Sequence, residues 1–342
     1  MKKTVLSDIA KSLGVSVSLV SLVLNGKGNQ NGISKETQQK VEDKAKELKY
    51  KPNQMARSLR LGKSNTIGLI VADISNAFYA RIARGIEQKA NEKGYNLIFC
   101  STEENPEKEI ALIRMLKERQ VDGLIISTTL KDTTEILQLK KENFPFVLID
   151  RYIKRLETNY VVTNNYEGAV AAMQHLIDLG HERIAILTVT PAHLSSVNDR
   201  YTAYKDILKK NDIRFNKNFV KQISFNDVEN ETEQAVKELL QMPNYVTAIF
   251  TVNNNLAVAV LETLHKIGKK IPDDISLVSY DDIRLFRFCV PTITAVAQPV
   301  EQIGERAVEL LLSEIEKDGK KDNNNKIVLP PSFVIRNSSS KI

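Results

Sequence analysis

From Thr66 onward the chain repeats one unit, a short apolar run followed by an amphipathic segment. TIGLIV (66–71) is continuously apolar, as expected of a strand buried on both faces. Phe78, Ile82 and Ile86 then recur at the spacing of one helix face. NLIFC (96–100), a helix near 107–119, GLIIS (123–127), a helix near 133–142 and FVLID (146–150) continue the series. Such alternation demands right-handed βαβ units on a parallel sheet. A second series opens at YVVT (160–163) and a helix to Leu179. It runs through RIAILT (183–188), a helix near 199–210, a strand near 219–223 and a helix to Met242. AIFTV (248–252), a helix to Ile267 and SLVSY (276–280) complete it. Two series of similar size predict two α/β lobes of parallel sheet with a cleft between them. The helix at 300–316 is expected to return to the first lobe. KDGKKDNNNK (317–326) reads as a mobile polar loop.

The residues before Thr66 follow another rule. VLSDIAKSLGVSVSLVSLVLN (5–25) reads as two short helices joined at Gly14-Val15-Ser16. Val5, Ile9 and Leu13 line one face of the first, with Thr4 as its expected cap and Asp8 near its positive end. Gly14 supplies a left-handed terminus and Ser16 the next N-cap. Val20, Val23 and Leu24 face inward from the second helix, and Gly26 ends it. Both helices are too short to stand alone. A third, near 35–48 with Ser34 as cap, offers Val41, Ala45 and Leu48 to close a small α-helical domain. This spacing is that of a helix-turn-helix, although two short helices in a row more often reflect plain core packing. PNQMARSLRLGKSN (52–65) is either a short helix that orders against a partner or a basic linker.

Charge separates the two parts. The first 63 residues hold 13 Lys and Arg against 5 Asp and Glu, a net of +8, whereas the rest carries a net of −2. A basic head on a faintly acidic body suggests that the head meets a polyanion. No apolar run spans a bilayer, and Asp8 and Lys11 interrupt any signal-peptide core, so a cytoplasmic location without membrane contact is expected. Cys100 and Cys289 rule out a disulfide framework and read as buried, inert thiols. Enzyme chemistry lacks its usual signs. There is no P-loop or GxGxxG, and His175, His181, His193 and His265 form no metal-ligand pattern, so neither metal nor cofactor is expected. His181, after Gly180, reads as a helix-end cap. Asp281 and Asp282 are adjacent, which makes them poor as a facing acid–base pair.

Ligands of α/β lobes sit at the carboxyl ends of strands. That rule selects Asp73, Asn76, Phe78, Tyr79, Ser127, Asp150 and Arg151 from the first series. From the second it selects Asn164, Arg200, Asn254 and Asp281. Carboxylates, amides, arginine and aromatic faces together suit a polyhydroxylated ligand. Asp150 and Arg151 could equally form an interlobe salt bridge, and Asp73 and Asp282 could be helix caps.

DIAKSLGVSVSLVSLVLNG, YKPNQMARSLR, IGLIVADISNAFYARIARGIE, VDGLIIS, VLIDR, LGHERIA and LVSYDD, followed by PTITAVAQP, occur in this order over nearly the whole chain. Together they resemble the lactose-repressor (LacI/GalR) family of bacterial transcription regulators. The resemblance implies a DNA-binding headpiece at about 1–50, a hinge helix at about 51–63, and a periplasmic-binding-protein-like core at about 64–342. Lobe 1 is expected at about 64–159 plus 292–318, and lobe 2 at about 160–291 plus 319–342. It also implies a homodimer on pseudo-palindromic double-stranded operator DNA, acting as a repressor under control of a small effector. A carbohydrate is the first expectation for that effector. A nucleobase co-repressor on the same fold is the alternative, and a solute-binding protein without a DNA role is a more distant one. By resemblance Val17, Ser18 and Leu22 face the bases, Ser16, Ser21 and Asn25 support backbone contacts, and Thr4 belongs with them to the DNA-binding set. Leu59 would be wedged in the minor groove beside Asn53 and Ala56. Arg200 and Asp281 match the family's effector residues best. Four departures stand out: Leu19 and Leu22 where relatives commonly carry Thr and Arg, and Thr163 and Asn254 where they usually carry Asp. The loop at 27–33 also looks longer than usual.

Overall fold

The computed structural model describes residues 4–50, 63–317 and 325–342. These divide into two compact units that part after Ser64.

The first unit is helical: α1 (Leu6–Leu13), α2 (Val17–Leu24) and α3 (Lys35–Glu47). α1 and α2 meet at a bend of 112°. Gly14 turns the corner at φ +63, and the Ser16 hydroxyl accepts from Leu19 N at 3.1 Å. Ser34 caps α3 in the same way, through Thr37 N. Ile9, Ala10, Val20, Val23, Val41 and Ala45 form the shared core. The expected Thr4 cap is not made. Val5 occupies the N-cap position, and Asp8 reaches back to accept from Val5 N at 2.9 Å. Thr4 instead donates to Leu48 O at 3.0 Å, tying the start of the unit to the end of α3. Val5, expected on the buried face, is half exposed because it precedes the helix. The long loop folds into a 3₁₀ turn at Asn29–Asn31, pinned by Gln38, whose amide donates to Asn29 Oδ1 and Ile33 O.

The second unit holds two six-stranded sheets. The first comprises β1 (Thr66–Val71), β2 (Asn96–Ser101), β3 (Gly123–Ile126), β4 (Phe146–Ile149), β5 (Tyr160–Thr163) and β11 (Lys326–Leu329). Its order is β11-β5-β4-β3-β1-β2, parallel throughout. Helices α4 (Ala77–Glu92), α5 (Pro106–Glu118), α6 (Thr134–Lys141) and α11 (Val300–Glu316) cover it. The second comprises β6 (Ile184–Thr190), β7 (Val220–Ser224), β8 (Ala248–Thr251), β9 (Ser276–Tyr280), β10 (Thr294–Ala297) and β12 (Ser332–Val334). Its order is β12-β10-β9-β8-β6-β7, and only β12 runs antiparallel to its neighbour. Its helices are α7 (Asn165–Asp178), α8 (Ser195–Lys210), α9 (Val228–Gln241) and α10 (Asn254–Lys266). In each sheet the chain reverses its direction of travel beside the first strand, β1 or β6, which opens a crevice at the carboxyl ends.

The expected lobe boundaries need correction. YVVT is β5 and pairs with β4, so it ends the first lobe rather than starting the second. No helix separates β4 from β5, which is why alternation alone misplaced it. β10, expected in lobe 1, joins the second sheet, and only α11 after it returns to the first lobe. β11, expected in lobe 2, joins the first sheet, and its Lys326 was read as loop. The chain therefore passes between lobes near Asn164, Gln298 and Pro330. Neither cysteine is fully buried; both are free and partly buried.

Candidate functional site

A cleft between the lobes encloses about 640 Å³, its mouth included. Eight of the expected residues line it: Asp73, Asn76, Phe78, Tyr79, Asp150, Arg151, Arg200 and Asp281. The two central carboxylates are related by position. Asp150 follows β4 with φ +62 and Asp281 follows β9 with φ +71, a left-handed conformation that Asp tolerates better than most residues. Both are buried, one from each lobe.

On the first lobe the Tyr79 hydroxyl donates to Asp150 Oδ2 at 2.9 Å, and burial pushes that phenol well above the ordinary tyrosine range. Ser127 stands behind this pair, 3.1 Å from the Tyr79 hydroxyl, and does not line the cleft. Arg151 donates to both oxygens of Glu104, with Nη1 at 2.8 Å from Oε2. Asp150 Oδ2 lies 3.3 Å from Arg151 Nε. The salt bridge anticipated across the lobes is thus internal to lobe 1, because its carboxylate comes from the loop after β2. Asp73 closes a turn by accepting from Ser75 N, and Asn76 caps α4 through Phe78 N. Both still present surface to the cleft.

On the second lobe Arg200 is held from three directions. Nε and Nη2 donate to Asn165 Oδ1 at 2.9 and 2.7 Å, and Nη1 donates to Val252 O at 2.6 Å. Its plane rests on the Tyr280 ring. Burial pushes the Asp281 carboxyl up, opposed by Arg200 and by a hydrogen bond from the Gln298 amide. The Gln298 carbonyl is itself buried without a hydrogen-bond partner among the described residues. Two expectations shift. Asn164 caps α7 by accepting from Glu167 N and lies outside the cleft. Asn254 is turned into the protein, and its neighbours Asn253 and Asn255 line the cleft instead. β8 ends at Thr251 and Asn253 caps α10, which turns Asn254 inward as the first residue of the helix.

Glu104, Gln298, Asn253, Asn255 and the positioning residue Asn165 are not among the residues singled out by sequence. Glu104 lies after β2, so the strand-end rule could have found it; Gln298 lies at a lobe crossing that periodicity does not reveal. Asp282 is no cap: Arg336 pairs with both its oxygens at 2.8 Å. His181 caps nothing with its ring, which bridges Thr247 Oγ1 and Ser340 O.

In the helical unit, Ser16, Val17 and Ser18 at the start of α2 are exposed. Leu22 is half exposed and is not among the side chains packed on that unit's core, whereas Leu19 is. Leu19, one of the departures, is therefore a packing residue. Asn25 donates to Ser21 O at 2.6 Å and stabilises the end of α2. Asn53, Ala56 and Leu59 lie outside the described residues.

The sequence profile described as "Bacterial regulatory proteins, lacI family" matches residues 5–53, and that of a "Periplasmic binding protein-like domain" matches residues 173–339. The chain is 34% identical to the ribose operon repressor of Halalkalibacterium halodurans, over 98% of this chain and 97% of that one. It belongs to the LacI family of bacterial transcriptional regulators. The regulator DegA of Bacillus subtilis is 33% identical over 99% of both chains. A LacI-family regulator of Enterococcus faecium solved with bound ribose is 30% identical, covers 81% of this chain and 99% of its own, and superposes with a TM-score of 0.71. The lac repressor dimer bound to operator and the anti-inducer ONPF shares the fold, with a TM-score of 0.84 at 24% identity over 99% of this chain and 100% of its own. A LacI-family regulator binds operator DNA and answers to a small molecule.

Proposed function

We propose that the protein is a dimeric repressor whose operator affinity is set by a sugar bound between the core lobes. One observation carries the sugar reading: buried carboxylates from both lobes, Asp150 and Asp281, share a cleft with the Arg200 guanidinium and the Gln298 amide. Carboxylates accept from vicinal hydroxyls and a guanidinium donates to them, and neither partner is left unpaired when a polyol fills the cleft. Two relatives support a pentose, one named a ribose operon repressor and one solved with ribose. Because the walls belong to different lobes, a bound sugar favours the closed arrangement by its differential affinity.

DNA is read by the start of α2. Val17 and Leu22 offer apolar surface to thymine methyls, and Ser16 and Ser18 offer hydroxyls to phosphate and base edges. Leu59, Asn53 and Ala56 are assigned to the minor groove. The dimer is assigned to the core, where Leu285, Phe288 and Val290 expose 50%, 70% and 100% of their surface next to one another in sequence. Apolar side chains so exposed are covered in a stable assembly.

Gel shifts with genomic fragments, with and without ribose and related sugars, test this reading. It expects one pseudo-palindromic fragment whose retardation changes with a sugar. A protein that retards no fragment, or whose complex responds to no sugar, refutes it.

A further inference from the structure

Beside the cleft lies a second cavity of about 1210 Å³, its mouth included. Loops after β3 and β4 form one wall, and the start of α8, with His193, Leu194 and Ser195, forms the other. Four contacts join the walls, one of them the Tyr152 hydroxyl donating to Asp199 Oδ2 at 3.4 Å. His193 Nε2 lies 3.0 Å from Thr129 O, Tyr152 N donates to Ser195 Oγ at 2.8 Å, and Lys154 Nζ meets Asp199 Oδ1 at 2.9 Å.

Lys131, Arg151, Lys154 and Arg155 line the cavity, and among the described residues no carboxylate does. Glu104 compensates Arg151 and Asp199 compensates Lys154. Lys131 and Arg155 are exposed and make no ion pair among the described residues. Asp132, next to Lys131, is committed to the backbone and hydroxyl of Thr134. The first turn of α8 adds a positive dipole end with no side-chain cap, since Leu194 occupies the N-cap.

We propose that this cavity is a second ligand site, taking a small phosphate-bearing molecule between Lys131, Arg155 and the start of α8. Its walls come from both lobes, so occupancy favours the closed arrangement. Arg151 lines both cavities, and α8 presents Ser195 to one and Arg200 to the other. The two sites are thereby linked, and linkage makes each ligand change the affinity of the other. The site does not depend on which molecule fills the cleft.

Calorimetric titration of the whole protein with ribose 5-phosphate, in a phosphate-free buffer, tests it. The wild type should bind at millimolar concentration or better. Lys131→Ala with Arg155→Ala should weaken binding about tenfold or more, as expected for lost charge-assisted hydrogen bonds, without lowering the melting temperature. Lys131→Arg with Arg155→Lys should retain binding. Absence of binding overturns the proposal. So does binding undiminished in the double alanine variant, which would place the phosphate outside this cavity.

Discussion

The Arg200 guanidinium lies over the Tyr280 ring, 3.6 Å from its centroid. The stack exists because α7 carries glycine at 168: a Cβ there would come within 2.5 Å of the Tyr280 hydroxyl. Tyr280 is fully buried, so it sets the plane in which Arg200 presents its remaining N–H groups. A desolvated cation–π contact contributes up to about 2 kcal/mol. Gly168→Ala should displace Tyr280 and weaken sugar binding about tenfold, while operator affinity without sugar stays near wild type. Calorimetry on the variant checks this; unchanged sugar affinity would show that the stack does not orient Arg200.

The start of α2 makes a separate claim. With Val17 and Leu22 as apolar readers, thymine methyls carry part of the sequence preference. Uracil in place of thymine in the half-sites should weaken binding at one or more positions. Full affinity at every position would remove Val17 and Leu22 from base readout. Ser16→Ala should also destabilise the helical unit by about 1 kcal/mol through loss of the N-cap bond, read as an earlier headpiece transition in urea.

Assembly can be tested at one side chain. Phe288→Asp places a charge on the exposed apolar stretch and should convert the dimer to a monomer in sedimentation, with the core still folded. A variant that stays dimeric assigns the interface elsewhere.

His181 gives the core a pH dependence of known sign. Burial lowers its pKa, and the same holds for His175, which contacts Ser339. Below the unfolded value of about 6.5 the unfolded chain binds protons that the folded core does not. Stability is therefore unaffected above that value and falls as pH drops through it. The melting temperature should decrease between about pH 7.5 and about pH 5.5, and less so in His181→Gln. An equal decrease in both proteins would exclude His181 as a source.

The strands and helices of both lobes were legible because fully buried parallel strands are continuous apolar runs. β5 was assigned to the wrong lobe, since its pairing with β4 is a long-range fact that YVVT does not encode. The cleft was legible where a residue directly follows a strand, as with Asp150 and Asp281. It failed by one position at Asn254, where the helix cap fixed the register, and it missed Asn165 and Gln298, whose role depends on which lobe each crossing segment joins. The Thr4 cap failed because α1 begins at Leu6, which puts Val5 rather than Thr4 at the N-cap, and the Thr4 hydroxyl donates to Leu48 O instead.

We propose that a sugar in the interlobe cleft controls operator binding. Fluorescence-anisotropy titration of the operator fragment, by wild type and by Arg200→Ala, with and without the sugar that most raises the melting temperature, tests it most directly. A change in wild-type affinity of about tenfold on adding sugar is expected, in the usual range of coupling between sites. Arg200→Ala should give superimposable curves at the wild-type affinity without sugar. A wild type indifferent to sugar, or a full response in Arg200→Ala, would contradict the account.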